Sequence, residues 1–375
     1  MTVMNAKHYP QPEDFSPQPL AANHFPLGSP AADAYNICLD LERRVATVEL
    51  PSDFPPRFNA LICPRVLGRT LSELACAEDR LMDFAQRIIE ISYSDQKLLA
   101  FAVRFVQRLS HVFISHNEER TPAPSDDSTR PNFEDIIQFC SWARGQSSLS
   151  HGTAKQAALI RDGGHCAILP YMYERSWLLS RPDECRKILA TQPNQGTSTR
   201  CAHILPEALM RILLPDTGRA PQERHTIGSL LGFFEDELDA PTDHSIHSLT
   251  NAITLEHDMR VQMNNMSLWL EATSGEGVPD NTYIICFSDP LTQVRIDKDQ
   301  RIVSFTTPDE IALPVPSPQN LAVHAACCRI ARMSGAAEYV ENLIRNTESQ
   351  NTLFLAPDGS SAELLANKLF SAGVR

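Results

Sequence analysis

The chain has 375 residues, 42% hydrophobic and 21% charged, with a formal net charge of −13. It is long enough for two or three cores, and its overall charge excludes a general polyanion binder. Nucleic-acid contact would need a local basic patch, because neutralising phosphates supplies most non-specific affinity. The most apolar run, Leu98 to Val106, is broken by Arg104 and falls far short of the roughly 20 residues a membrane helix needs.

Residues 1–32 are polar and proline-rich, without an apolar signal core, and read as a disordered arm. Residues 33–115 read as a helical region. After a short mixed stretch at Ala34–Val48, apolar residues recur at three or four: Leu71, Leu74, Leu81, Phe84, Ile88, Ile91, Leu98, Phe101, Phe105 and Leu109. Ser94-Asp95 is a helix start that divides this stripe in two. Residues 116–132, rich in Pro, Ser and Asp, read as a linker. Helices are expected at Phe133–Arg144 and Ala154–Arg161, followed by short strands and turns to about Ser274. Tyr283–Phe287 and Val294–Phe305 alternate like a β-hairpin. Helices follow at Gln319–Met333 and on through Leu343, then a small strand at Thr352–Leu355 and a last helix at Ser361–Leu369. The expected fold class is therefore α+β.

Ten cysteines are scattered without a Cys-x-x-Cys pair, mostly in apolar company, which reads as reduced thiols in an intracellular compartment, nucleus or cytoplasm. Glycine-rich phosphate loops, the Gly-x-Ser-x-Gly elbow and His-Glu-x-x-His are missing from the sequence. Asp297-Lys298-Asp299 begins like a calcium loop but lacks its glycine and closing glutamate, and reads as a turn.

Chemistry concentrates in the middle of the chain. Arg161-Asp162-Gly163-Gly164-His165-Cys166 is followed by Cys201-Ala202-His203-Ile204-Leu205-Pro206, and then by Asn251-Ala252-Ile253-Thr254-Leu255-Glu256-His257-Asp258-Met259-Arg260. Taken alone, His203 is a strand-end residue closed off by Pro206. Beside Asn251 it becomes a candidate base. A neutral imidazole takes a proton from water, an amide holds the neighbouring loop, and a divalent ion steadies the charge that develops on a phosphate. His244 and His247 read as polar loop residues, with metal ligation the alternative, Cys166 as a structural thiol, and His324 as a core or interface histidine. The run Glu235–Asp239 reads as a solvated loop.

With Leu268-Trp269-Leu270-Glu271 and the segments Leu321–Cys327 and Ser334–Tyr339, these motifs occur in one order. They resemble the HNH endonuclease-like domains abundant in fungal proteins, over about residues 154–345. The resemblance implies a ββα-metal (HNH-like) module at 133–280 with lead-in helices; the β-hairpin and C-terminal helices read from the pattern occupy 281–375. It implies a metal-dependent endonuclease that hydrolyses nucleic-acid phosphodiesters, DNA ahead of RNA, with Mg²⁺ or Zn²⁺ as cofactor and no membrane partner. The alternative is a catalytically degenerate HNH fold kept as a binding or interaction domain. By this resemblance His203 is the general base and Asn251 its orienting partner. The family's last histidine, a metal ligand, falls on Arg260, and an arginine offers a metal no lone pair. His257, three residues earlier, is the substitute ligand; otherwise it is a helix-start residue facing solvent. Arg260 and Arg200 are assigned phosphate contacts, with Arg175, Arg211, Arg219 and Arg224 also available.

Overall fold

The computed structural model describes residues 9–76, 78–114, 136–143, 151–191, 196–206, 247–275, 277–296 and 300–349. The expected linker, the charge run, His244, the calcium-like turn, the strand at Thr352 and the helix at Ser361 lie outside them. Helices and strands are both present, which makes the fold α+β. No helix among the described residues is long and apolar enough to cross a membrane.

Two compact units are formed. Residues 13–114 and 326–349 make a helical one; 9–12, 136–206 and 247–325 make a mixed one.

The helical unit begins with α1 (Pro30–Arg44), where the sequence pattern shows only a short mixed stretch. Its start is well specified: the Ser29 hydroxyl accepts from the Ala32 N–H and Pro30 opens the first turn. The apolar stripe then divides into α2 (Ile62–Glu73), α3 (Glu78–Ile91) and α4 (Asp95–Ile114), three helices where two were expected. Leu67, Leu71, Phe84, Ile88, Leu98 and Val106 are fully buried, while Ile91 and Phe101 are only partly so. The expected disordered arm also needs correction. Phe15 and Leu20 are buried, and the Gln18 and Leu20 N–H groups donate to the Met333 carbonyl and the Glu42 carboxylate. Proline removes donors from such a segment, and the Gln18 and Leu20 bonds satisfy two of those that remain.

The mixed unit contains α5 (Ile136–Ala143), α6 (His151–Arg161), α7 (Arg175–Ser180) and α8 (Pro182–Thr191). Strands β1 (Tyr173–Glu174) and β2 (Gly196–Thr197) form a short parallel pair. Strands β3 (Thr199–His203) and β4 (Ala252–Glu256) pair antiparallel, with His203 opposite Ala252 and Thr199 opposite Glu256. Helix α9 (His257–Asn264) leaves β4 directly. A second antiparallel sheet runs β5 (Leu268–Ala272), β6 (Thr282–Phe287), β7 (Ile302–Ser304).

Two expectations change here. A boundary at 280 would cut between β5 and β6, which are neighbours in one sheet. Val294 is helical, because Asp289 caps α10 (Pro290–Arg295) by accepting from the Leu291 N–H. The connection from β6 to β7 is therefore longer than a simple hairpin turn.

Helix α11 (Pro318–Ser334) is followed, after Gly335, by α12 (Ala336–Ser349). One hydrophobic core of the mixed unit joins Phe139, Ala157, Ala158, Ile160, Trp177, Leu249 and Leu313.

Candidate functional site

The site is built on the end of α6. Gly163 and Gly164 take φ of 69° and 78°, the left-handed conformation that ends a helix. The Gly164 N–H reaches back to the Leu159 carbonyl at 2.8 Å. A Cβ on Gly164 would come within 2.3 Å of the Trp177 ring, so only glycine fits. This sharp stop leaves Arg161 and Asp162 inside the fold.

Their side chains, 0% and 4% exposed, form a forked ion pair at 2.8 Å. The guanidinium also donates to the carbonyls of Leu249 (2.8 Å), Pro314 (3.1 Å) and Ala252 (2.7 Å). Asp162 in turn accepts from the Thr254 N–H at 2.8 Å, and the Ala167 N–H donates to the Thr254 carbonyl at 2.8 Å. The edge of β4 that faces away from β3 is thereby satisfied, and the turn Leu249–Asn251 is fixed to the end of α6.

Strand β3 is held at its start by Glu174, which accepts from the Thr199 N–H at 2.6 Å and the Thr199 hydroxyl at 2.7 Å. Burial raises the Glu174 pKa, but these bonds and those from Ser176 outweigh it and leave the carboxyl below its ordinary value. At the other end stands His203, 8% exposed. Asn251 clamps the residues after it. Its carbonyl accepts from the Ile204 N–H at 2.8 Å, its Oδ1 accepts from the Leu205 N–H at 2.9 Å, and its Nδ2 donates to the Leu205 carbonyl at 3.0 Å. The amide thus fixes the loop beside the imidazole through the backbone. His247 stands against His203, with its Nδ1 3.3 Å from His203 Nε2 and ring centroids 5.4 Å apart.

The other candidate residues lie elsewhere. Alternation along β3 puts Arg200 on the face opposite His203, where it is exposed and bonds Ser198. His257 is exposed at the first position of α9, five residues beyond the Ala252 that pairs with His203, or about 17 Å along the strand. His203 and His257 are not brought to one place. Arg260 is half-buried on α9, between Met259 and Met263, which face the interior. Glu256 caps that helix through the Asp258 and Met259 N–H groups and pairs with Arg295 at 3.2 Å. Among the described residues, no group of three or more His, Cys, Asp or Glu is placed to hold a metal ion. The ligand set implied for the family is not assembled around His257.

Cys166 is buried, accepts from the Leu169 N–H, and has its thiol pushed up by burial, as suits a structural cysteine. His324 is fully buried and donates through Nε2 to the Met263 carbonyl at 3.3 Å, a core histidine.

The sequence pattern reads His247 as a polar loop residue or a metal ligand and does not place it beside His203. Its flanks, Ser-Ile-His-Ser, carry no periodicity, and only the fold of the turn after it brings it to His203. The Glu174 anchor was missed for the same reason. No family model, curated protein or solved structure matches the chain.

Proposed function

We propose that the chain is an HNH-like endonuclease that hydrolyses phosphodiester bonds of nucleic acid, DNA ahead of RNA, with His203 as general base. The observation that supports this most is the Asn251 clamp. A strand ends in a sheltered histidine, and an amide from the start of the paired strand holds the next residues from both sides. A helix follows that second strand at once, giving strand, strand and helix in the order of a ββα module. In this reading His203 accepts the proton of an attacking water at Nε2, and the bond from phosphorus to the leaving oxygen breaks as the new P–O bond forms. Asn251 positions the loop, so that the imidazole is already oriented when substrate arrives.

A divalent ion supplies, when bound in such sites, stabilisation of the charge on the phosphate. The described residues do not fit an ion at the place the resemblance implies, because Arg260 offers no lone pair and His257 lies at the far end of the strand. No step above runs through it.

A second reading, a degenerate HNH-like fold kept for binding or interaction, is favoured by that same Arg260. A guanidinium repels a cation yet grips phosphate.

Supercoiled plasmid incubated with the full chain and Mg²⁺ or Mn²⁺ separates the two. The hydrolase reading expects nicking that His203→Ala abolishes while circular dichroism is unchanged. Wild-type protein that cuts neither DNA nor RNA transfers the assignment to the binding domain.

A further inference from the structure

The contact between His203 Nε2 and His247 Nδ1 is a long hydrogen bond whose spacing is also that of two ligands of one ion. Protein N–H hydrogen bonds cluster at about 2.7–3.2 Å, and these atoms stand 3.3 Å apart, at the long end, with rings tilted by 40°. In a tetrahedral zinc site with Zn–N of about 2.0–2.1 Å, two neighbouring nitrogens are separated by about 3.3–3.4 Å. The observed separation is therefore that of one edge of such a tetrahedron.

Both rings are mounted on segments that the fold fixes, with Asn251 common to the two. His203 sits between the β3–β4 pairing and the Asn251 clamp. His247 directly precedes the turn Leu249–Asn251. Ser248 caps that turn, Arg161 binds it at Leu249, and the Ser317 N–H reaches the Thr250 carbonyl at 2.8 Å. A chelate whose arms are already placed loses little freedom on binding.

We propose that His203 Nε2 and His247 Nδ1 together form a two-nitrogen site for a zinc-class divalent ion, with water completing its coordination. Imidazole nitrogens select zinc and its transition-metal neighbours over Mg²⁺, which takes oxygen ligands. The site is not the one implied at Arg260 and His257. It has a consequence for catalysis that rests on the hydrolase reading: an ion on Nε2 occupies the lone pair a general base must use. Zinc binding and proton abstraction at His203 then exclude each other, and zinc is an inhibitor of the reaction.

Binding is tested without reference to activity. The full chain is titrated with ZnCl₂ in Mg²⁺-containing buffer, by calorimetry and by long-range ¹H–¹⁵N spectra of the histidine side chains. The expected result is that the His203 and His247 ring nitrogens shift together on zinc addition, while Mg²⁺ moves neither. His203→Gln and His247→Gln should each lower the affinity at this site by at least about tenfold, since loss of a ligand exceeds loss of its outer partner. His257→Gln should leave it unchanged. The spectra of the wild type decide the matter even where a variant fails to fold. Zinc that shifts neither ring, or an affinity that survives both substitutions, overturns the site.

The activity arm is separate. If the wild type nicks plasmid with Mg²⁺, zinc should inhibit it, with half-inhibition at the zinc concentration that half-saturates the two rings in the spectra. Nicking that persists with zinc on both rings overturns the exclusion of base by ion. A wild type that never nicks removes the hydrolase reading and leaves the zinc titration to decide the site.

Discussion

Asn251 engages every hydrogen-bonding group of its amide plane that faces Leu205, and it is 1% exposed. Replacing it with alanine leaves a buried N–H and a buried carbonyl without partners, at about 1–3 kcal/mol each. Asn251→Ala should therefore lose about 2–4 kcal/mol in urea unfolding, and the loop after His203 should exchange its amide protons faster. An unchanged midpoint would mean that the clamp is ornamental to the fold. His324 gives a second, pH-dependent prediction. Burial lowers its pKa from 6.5 to about 4, only partly offset by its bond to the Met263 carbonyl. The unfolded chain binds this proton below about pH 6.5 and the folded chain only near 4. The stabilisation is therefore full above 6.5, falls as pH drops through that window, and is gone below 4, roughly 3 kcal/mol in all. Urea unfolding at pH 7.5 and 5 should differ by about 2 kcal/mol more in the wild type than in His324→Phe. Equal slopes in both proteins would show that the histidine titrates freely in the folded state. At this scale the sequence is partly legible. His203 and Asn251 can be singled out because type and order carry chemical meaning. His247 can be named only as a polar loop histidine with metal ligation as its alternative, since its place beside His203 depends on a turn that no short-range pattern specifies.

The end of α6 is the element on which the site depends. Gly163 and Gly164 share the left-handed backbone, but their surroundings differ. A Cβ on Gly163 meets only the His165 ring at 3.3 Å, whereas one on Gly164 meets Trp177 at 2.3 Å. Gly163→Ala should cost about 1–3 kcal/mol for the backbone alone. Gly164→Ala should cost clearly more, and Trp177 fluorescence should shift only in that variant. Similar losses for both would contradict the packing described. Asp162→Ala strands the Arg161 cation in the interior and should remove about 3–5 kcal/mol, seen as early proteolysis of the mixed unit. Helix ends of this kind are readable from Asp-Gly-Gly. The contacts made at such an end are less so. The Arg161–Asp162 pair is visible as a motif, but its partners at Leu249, Ala252, Thr254 and Pro314 lie 88 to 153 residues away. Helix α1 escapes the pattern for the opposite cause: Ser29-Pro30 marks its start, yet its alanine-rich first turn shows no strong apolar stripe. Val294 reads as strand from alternation, and the Asp289 cap overrides it locally.

For the molecule as a whole, a net charge of −13 sets the terms on which a polyanion approaches. Arg200 is not on the face of His203, so one or two phosphate contacts are expected, and the logarithm of affinity should fall with the logarithm of salt at a slope of about −1 to −2. Anisotropy of a labelled duplex across a KCl series measures it. A slope of roughly six or more would reveal a basic surface outside the described residues. The two-unit organisation is only partly legible, because the mixed unit is assembled from pieces far apart in sequence. Its most distant tie is Arg301. The residue is 1% exposed, and its guanidinium lies over the Phe287 ring and donates to the Ile285 carbonyl and to the Pro10 carbonyl. The last bond spans 291 residues. A ribosome adding about 5–20 residues per second delivers Arg301 roughly 15–60 s after Pro10. Throughout that interval the opening segment has no guanidinium to receive, so this corner of the mixed unit closes late in synthesis, whatever forms before it.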